Sequence, residues 1–281
     1  MALVDVAAGA SRAGAMLKRL ASAAVLLPVF VWVVVAAPAW VFPLVVVAAA
    51  ARAAWELGRM LEHAGRPVHK RLAVLAGVAV TASFAAPLAA RVGDAVTALA
   101  IAVVLSAPLW TREAPATERT AHTLLGVVYV NWLLGYAILL HALPTGAALV
   151  LFLVGVTWIG ETAAYLVGSM AGRRRLAPVI SPGKTVEGAV AQVMASVVAA
   201  ALLGAWLLPG CTVSWALAAG LLLGVVGQVG DLAESAIKRS VSLKDTGALI
   251  PGHGGILDRI DSLLFNAPAL YFYTLHARCG A

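Results

Sequence analysis

Long apolar runs, broken by short polar segments, dominate the pattern along this chain. They predict nine helices, at about residues 21–37, 41–55, 72–90, 95–110, 121–142, 146–168, 186–208, 213–237 and 256–275. A helix that crosses a bilayer needs about 20 apolar residues, and most of these runs approach that length. Frequent alanine and glycine favour close packing between membrane helices. The pattern therefore predicts an all-α fold, a polytopic transmembrane helical bundle of about nine spans.

Composition narrows the class of protein. Hydrophobic residues occupy 62% of the 281 positions, charged residues occupy 12%, and the mean hydropathy is +0.94. An average soluble domain carries about 25% charged residues and could not bury this much apolar surface. These values exclude a soluble enzyme, a secreted disulfide scaffold and a nucleic-acid-binding domain. The two cysteines, Cys211 and Cys279, have no partner spacing, and we expect both to be inert.

The distribution of positive charge predicts the orientation of the bundle. The net charge is +7, from 20 Lys and Arg against 13 Asp and Glu. A cytoplasmic N-terminus leaves only Arg91 and Arg278 on the outer side, which agrees with the positive-inside rule. We therefore expect a multi-pass protein of the cell (inner) membrane with its active site facing the cytoplasm. The first apolar run is interpreted as a retained span rather than a signal peptide.

Charged residues divide the chain into two parts. In residues 1–145 they sit at the predicted helix ends, which is typical of scaffold spans. In residues 146–281 they lie in or against membrane segments, where charge is costly and marks functional sites. We predict a catalytic unit there, with cytoplasmic loops at 169–185 and 238–255. Glu161, inside an apolar run, either belongs to the site or is a protonated side chain hydrogen-bonded between helices.

The first of these loops is basic and contains Ser-Pro-Gly-Lys-Thr at residues 181–185. A Walker phosphate loop is excluded because the upstream glycine is missing and no preceding strand is expected. A glycine-containing turn at a helix N-terminus can still hold phosphate oxygens through backbone N–H groups and the helix dipole. The three arginines at 173–175 are interpreted as a topology anchor that contacts anionic lipid.

The second loop and its flanking helices hold the densest group of polar residues. Spacing places four of them on one helical face and two acids on the next helix: Asp231, Ser235, Lys238 and Arg239, then Asp258 and Asp261. Gly254 and Gly255 allow close approach of backbone to a ligand. Carboxylates from two helices, surrounded by Lys and Arg, suit a hydrated Mg²⁺ bound to polyphosphate. The alternative is a charge-balanced loop that contains ion pairs only.

Residues 235–261 resemble the signature of the phosphatidate cytidylyltransferases, the CDP-diacylglycerol synthases. The chain matches every fixed position of that signature: Ser235, Lys238, Arg239, Lys244, Asp245, Gly247, Pro251, His253, Gly254, Gly255, Asp258, Arg259 and Asp261. Upstream, Ser181-Pro182, Lys184-Thr185, Glu187-Gly188 and Ala164-Tyr165 also resemble family segments. Two positions depart from the pattern: Glu161 stands where Asp is more usual, and Gly183 stands where Lys is usual.

The resemblance implies that the protein converts CTP and phosphatidate to CDP-diacylglycerol and pyrophosphate. It implies metal binding, of Mg²⁺ or alternatively Mn²⁺, by Asp231 and Asp258, with Asp261 as a ligand or in the next layer. It implies a catalytic set that adds Lys238, Arg239, Lys244, Asp245, His253 and Arg259. Substrate binding is assigned to Ser181, Lys184, Thr185, Glu187, Ser235, Gly254, Gly255 and Tyr165. The oligomeric state, monomer or homodimer, stays open.

The main alternative is a membrane transporter that uses intramembrane carboxylates. A transporter would be expected to have broken helices in paired, repeat-related positions. The polar residues instead cluster in one C-terminal unit, which favours the enzyme. A CDP-alcohol phosphotransferase is excluded because its Asp-Gly-x-x-Ala-Arg motif is absent.

Overall fold

A computed structural model describes residues 24, 26–86, 89–111, 114–243, 246, 247, 254–277 and 279. Ten helices follow one another along these residues, with one π-helical segment (Gly126–Trp132) between the fifth and the sixth. The helices are α1 Leu26–Val35, α2 Val41–His63, α3 Lys70–Ser83, α4 Ala89–Thr111, α5 Ala116–Leu125, α6 Leu133–His141, α7 Gly146–Ala171, α8 Val186–Leu207, α9 Val213–Ser240 and α10 Leu257–His276.

Six of these helical segments are long and apolar enough to cross a membrane. They are α2, α4, the continuous stretch from α5 to α6, α7, α8 and α9. The described part of the chain therefore has the architecture of a multi-pass membrane protein, as predicted at that level. Of the other predicted spans, the one at 72–90 is the 14-residue helix α3, which is shorter than a span needs. The one at 256–275 is α10, which carries three charged residues in its first turns.

The second helix differs from its predicted bounds. The apolar pattern ended it near residue 55, but α2 continues to His63. Glu56 lies inside the helix with a side chain only 2% exposed, and Arg52, one turn earlier, lies 3.1 Å from its carboxylate. Because this (i, i+4) pair offsets part of the cost of burying the charge, the helix passes through it without a break.

Part of the predicted loop at 169–185 is a β-hairpin, so the prediction of a purely α-helical fold needs correction. Helix α7 continues to Ala171, and strands β1 (Arg175–Ala177) and β2 (Ser181–Thr185) then pair antiparallel. The carboxylate of Glu187 accepts backbone hydrogen bonds from Arg173 and Arg174. The Thr185 hydroxyl caps α8 by accepting from the Gly188 N–H at 3.1 Å. The hairpin is thereby tied to the start of α8.

Helices α7 to α10 pack side by side and form the frame of the C-terminal half. Glycines permit close contact where helices cross: a Cβ at Gly220 would lie 2.7 Å from the backbone oxygen of Ser196 on α8. Asn266 on α10 donates to the Thr157 hydroxyl on α7 at 2.9 Å. Helix α10 also contacts α6 and α2, so it joins the two halves of the chain.

The two cysteines are not isolated in space, contrary to the expectation from their spacing. Cys211 follows α8, Cys279 follows α10, and the two form a disulfide. Trp215 strengthens the same junction, because its indole N–H donates to the Ala277 carbonyl at 2.8 Å. Sequence separation of 68 residues hid this pairing, because only the packing of α9 beside α10 brings the two ends together.

Candidate active site

The hairpin presents a lysine to the end of α9. Lys184, on β2, places its Nζ 2.7 Å from Oδ2 of Asp231. The two side chains are 23% and 31% exposed, but the Nζ atom of Lys184 is itself buried in this pair. The structure thus brings together two residues that the sequence predicted for the site from segments 47 positions apart. A lysine at this place can pair with a carboxylate or with a phosphate.

A second lysine, Lys238, joins α9 to α10. Its Nζ lies 2.7 Å from Glu234 Oε2 and 3.0 Å from Asp258 Oδ1. Glu234, which is 1% exposed, was not among the predicted site residues. Its spacing held a usable signal, because it lies three residues after Asp231 and four before Lys238, on the same helical face. The buried pair needs such a partner, since an unpaired charge there would be costly.

Asp258 binds the backbone of the segment before α10, which is described at residues 246, 247 and 254–256 and is called the glycine loop below. Its carboxylate accepts the backbone N–H of Gly255 at 2.8 Å and that of Thr246 at 3.1 Å, in addition to Lys238. Gly254 has φ +81°, and a Cβ there would lie 2.7 Å from Asp258 Oδ2. The predicted need for glycine is confirmed at this position, because both the backbone conformation and the close approach require it.

Asp261 interacts electrostatically with three other carboxylates, those of Glu161, Asp231 and Glu234. Glu161, from α7, interacts with Asp261 and Asp231 and with the guanidinium of Arg259. Asp261 accepts the Ser262 N–H at 2.7 Å. Glu161 therefore lies near the predicted site residues, and it also interacts with Ser262 on α10, so both interpretations of this residue stay open.

The remaining predicted residues occupy varied positions. Arg239 donates to the carbonyls of Ile180 and Leu243, and so ties the hairpin to the end of α9. Thr185 caps helix α8, and Glu187 accepts backbone hydrogen bonds from the residues before β1, as described above. Ser181 begins β2 and Ser235 lies part-buried on α9, while Tyr165 is 75% exposed on α7. Lys244, Asp245 and His253 lie outside the described residues, as do residues 248–252 of the same loop.

The carboxylates suit a divalent cation in number and type. Among the described residues, five acids interact with three bases. The acids are Glu161, Asp231, Glu234, Asp258 and Asp261, and the bases are Lys184, Lys238 and Arg259. Oε1 of Glu234 is buried without a hydrogen-bond partner. Carboxylate oxygens are the donors that Mg²⁺ prefers. Within the described ranges, no three His, Cys, Asp or Glu side chains are arranged to hold one ion as they stand.

Glu56 is a second residue that the sequence prediction missed. It comes from α2, in the half of the chain predicted to be scaffold, yet its carboxylate accepts the Leu257 N–H at 3.0 Å. The signal available was one acid inside an apolar run with an arginine one turn earlier, which was interpreted as a topology determinant. Only the packing of α2 against α10 shows its connection to the site.

Comparison with known proteins is consistent with this arrangement. The family model described as "Cytidylyltransferase family" matches residues 17–276, which is nearly the whole chain. The chain belongs to the cytidylyltransferase family. This confirms, at the level of the family, the resemblance inferred from residues 235–261. The match extends well beyond the signature and includes the N-terminal helix α2, which carries Glu56.

Three curated relatives illustrate the similarity of this chain to known proteins. A phosphatidate cytidylyltransferase from Synechocystis is 46% identical over 134 residues, covering 47% of this chain and 45% of that protein. One from Staphylococcus aureus (strain COL) is 37% identical over 176 residues, covering 60% and 64%. An uncharacterized protein, YnbB, of Escherichia coli K12 is 44% identical over 162 residues, covering 54% of each. The chain thus aligns with about half to two thirds of the length of the curated relatives it matches.

Proposed function

We propose that this protein is a phosphatidate cytidylyltransferase, which makes CDP-diacylglycerol and pyrophosphate from CTP and phosphatidate. The observation that carries the proposal is the group of two lysines and five carboxylates where the hairpin, α9 and α10 meet. Two relatives that bear this name support the choice of substrates. These charged side chains lie near the ends of membrane helices, where a lipid substrate and a water-soluble substrate can meet.

The chemistry needs charge neutralisation more than a strong base. A phosphate oxygen of phosphatidate attacks the α-phosphorus of CTP, and the bond from that phosphorus to the leaving pyrophosphate breaks. Because the attacking oxygen is already anionic, the protein's task is to bring two anions together and to stabilise the charge on pyrophosphate. Lys184, Lys238 and Arg259 would exchange carboxylate partners for phosphate oxygens. Lys244, Arg239 and His253 complete the proposed phosphate-binding set.

A magnesium ion belongs to this proposal. Asp231, Asp258 and Asp261 are the proposed ligands, and Glu234 joins them because one of its buried oxygens lacks a partner. Such an ion would neutralise the acids and the polyphosphate together. Asp258 already accepts from Lys238 and two backbone amides, so its oxygens have the fewest open lone pairs of the four.

We also propose that the hairpin side faces the cytoplasm, in an inner-membrane bundle with a cytoplasmic N-terminus. The count of about nine spans stays a prediction, because α3 is shorter than a typical span. The disulfide supports this orientation. Cys211 lies between α8 and α9, whereas the hairpin precedes α8, so a spanning α8 puts them on opposite sides. Disulfides persist in oxidising compartments and are rare in the cytosol. CTP, which is cytosolic, would then reach the lysines directly.

The test is a reconstituted reaction. Purified protein in detergent would receive phosphatidate, radiolabelled CTP and Mg²⁺, and the lipid extract would be scored for a labelled CDP-lipid. We expect label in the lipid only when all three are present, with release of one pyrophosphate per CDP-lipid. Absence of label with a folded protein would contradict the proposal. Mg²⁺-independent movement of solute across liposomes by the same protein would instead favour the transporter.

A further inference from the structure

Glu56 is a buried acid that the proposed chemistry does not use. Its side chain is 2% exposed, in a helix whose other contacts are mainly apolar. Burying a carboxylate this deeply costs several kcal/mol unless partners compensate for the lost water. The partners of the Glu56 carboxylate, Arg52 and the Leu257 N–H, explain how this buried acid is accommodated.

The carboxylate of Glu56 bridges α2 and the start of α10. Arg52 Nε lies 3.1 Å from Oε1, and the Leu257 N–H donates to Oε2 at 3.0 Å across 201 residues of sequence. Leu257 is the first residue of α10, and the N-cap residue Ile256 has no side-chain hydrogen bond to offer. The Glu56 carboxylate therefore accepts an N–H at the start of α10, as an N-cap side chain would, although it belongs to a distant helix. A negative charge at this end of a helix also interacts favourably with the helix dipole.

The same carboxylate shapes the glycine loop. A Cβ at Gly255 would lie 2.5 Å from Glu56 Oε2 and 2.6 Å from the Thr246 hydroxyl oxygen. A Cβ at Gly247 would lie 3.2 Å from Oε1. Two glycines of the signature are thus pressed against Glu56, and a side chain at Gly255 would collide with it.

Asp258 binds the loop from the other side. It accepts the N–H groups of Gly255 and Thr246, which flank the space that Glu56 occupies, and it pairs with Lys238. The carboxylates of Glu56 on α2 and Asp258 on α10 therefore both contact the described residues of the glycine loop, an arrangement called the clamp below. Displacing the first would shift the turn that carries Asp258 relative to Lys238.

We propose that Glu56 is a positioning residue of the active site: held by Arg52, it fixes the glycine loop and the first turn of α10, and so sets Asp258 against Lys238. The catalytic consequence rests on the proposed function, whereas the clamp does not. The N-terminal half then contributes directly to the geometry of the site.

The experiment compares three substitutions with a matched control. Glu56→Ala removes the clamp, Glu56→Gln keeps an acceptor oxygen without the charge, and Glu56→Asp keeps the charge on a shorter arm. Glu62→Gln is the control, because Glu62 lies on the same helix, is 41% exposed and pairs with Lys70. CDP-lipid formation gives kcat and the KM for CTP, and hydrogen–deuterium exchange follows the amides of residues 254–260.

We expect Glu56→Ala to lower kcat by about 10- to 100-fold, as misplacement of reacting groups by about 1 Å does. Exchange at residues 254–260 should accelerate, while α7 and α8 exchange as in the wild type. Glu56→Gln should recover part of kcat and most of the protection, because its oxygen can still accept the Leu257 N–H. Glu62→Gln should match the wild type in both measurements.

Wild-type kcat and wild-type exchange in Glu56→Ala would overturn the proposal. So would a loss of kcat in which exchange rises equally in all helices, since that describes general unfolding. If Glu56→Ala fails to fold, Glu56→Gln and Glu56→Asp decide by the same two measurements. If the wild type makes no CDP-lipid, the proposed function fails, and the exchange comparison alone still decides whether the clamp exists.

Discussion

At the scale of single residues, the lysines and carboxylates of the candidate site form ion pairs with one another. Lys184 pairs with Asp231, and Lys238 pairs with Glu234 and Asp258. The Nζ atom of Lys184 is buried although both side chains are partly exposed, so a ligand must displace one partner before it can bind the other. In the proposed reaction, Lys184 would pair with a phosphate and Asp231 would become free to bind the metal.

Asp231 is the acid whose loss should report most directly on the metal. Asp231→Asn should lower turnover by about 100-fold and move the Mg²⁺ requirement to higher concentration, because an amide is a weaker ligand and leaves Lys184 unpaired. Initial rates across a Mg²⁺ titration, with EDTA as the zero point, measure both effects. Asp94→Asn, an exposed acid on α4, is the control. EDTA-resistant turnover would contradict the metal proposal.

Glu161 tests whether the group of acids extends to α7. It lies within electrostatic range of Asp261, Asp231 and Arg259. Glu161→Gln should reduce turnover well beyond any loss of folded protein, since it removes a charge from that group. Glu161→Asp should retain most of it, because the charge remains. Rates normalised to monodisperse protein check this, and full activity in Glu161→Gln would favour the purely interhelical interpretation.

At the scale of elements, close packing of α8 against α9 holds the hairpin lysine opposite α9. Small residues at this crossing leave no space for added atoms. Lys184 precedes α8 and Asp231 lies on α9, so their 2.7 Å contact depends on the register of the two helices. Any change that separates the helices should therefore weaken the site.

Gly220 is the position where that packing can be tested. A Cβ there would lie 2.7 Å from the Ser196 carbonyl oxygen, the Val197 Cα and the Ala200 Cβ. Gly220→Ala should cost about 1–3 kcal/mol of stability, as overpacking does, and lower the thermal midpoint in detergent. Gly210→Ala is the matched control, because no atom lies within 4 Å of its added Cβ. Equal midpoints for the two variants would show that α8 and α9 can separate without cost.

At the scale of the whole molecule, the disulfide and the hairpin mark opposite ends of the C-terminal half. Cys211 and Cys279 join the end of α8 to the end of α10. The acids and lysines gather where α8 and α10 begin. The fold thus separates a cross-linked end, suited to an oxidising compartment, from a charged end suited to nucleotide.

This arrangement predicts how the protein responds to thiol reagents. In intact cells, a membrane-impermeant maleimide should label Cys211 and Cys279 only after reduction, and from the outer side. A cysteine introduced at Gly183 on the hairpin should react only after the membrane is opened. A gel shift with maleimide-polyethylene glycol measures both. Labelling of position 183 from outside would reverse the orientation and exclude the proposed access of CTP.

The sequence alone determined the membrane class, the helices of the C-terminal half and several residues of the candidate site. Apolar runs predicted α7, α8, α9 and α10 within a few residues, because membrane helices satisfy their own backbone and need only local apolar length. The signature predicted Lys238 and Asp258, helical spacing predicted Asp231, and the resemblance of the segment at 181–188 predicted Lys184. The structure brings these four residues into two ion-paired groups. Such motifs can be recognised in a sequence because their residues are close in sequence or share a helical face.

Tertiary structure alone decided which acid meets which base. Glu56 reaches Leu257 across 201 residues, and Cys211 reaches Cys279 across 68, through helix packing that no local pattern encodes. The hairpin at 175–185 was also missed, because its pairing depends on Glu187 and on contacts with α9 rather than on alternating apolar residues. Periodicity reports which face of an element is buried. The partner across that face is selected by the energetics of the assembled bundle.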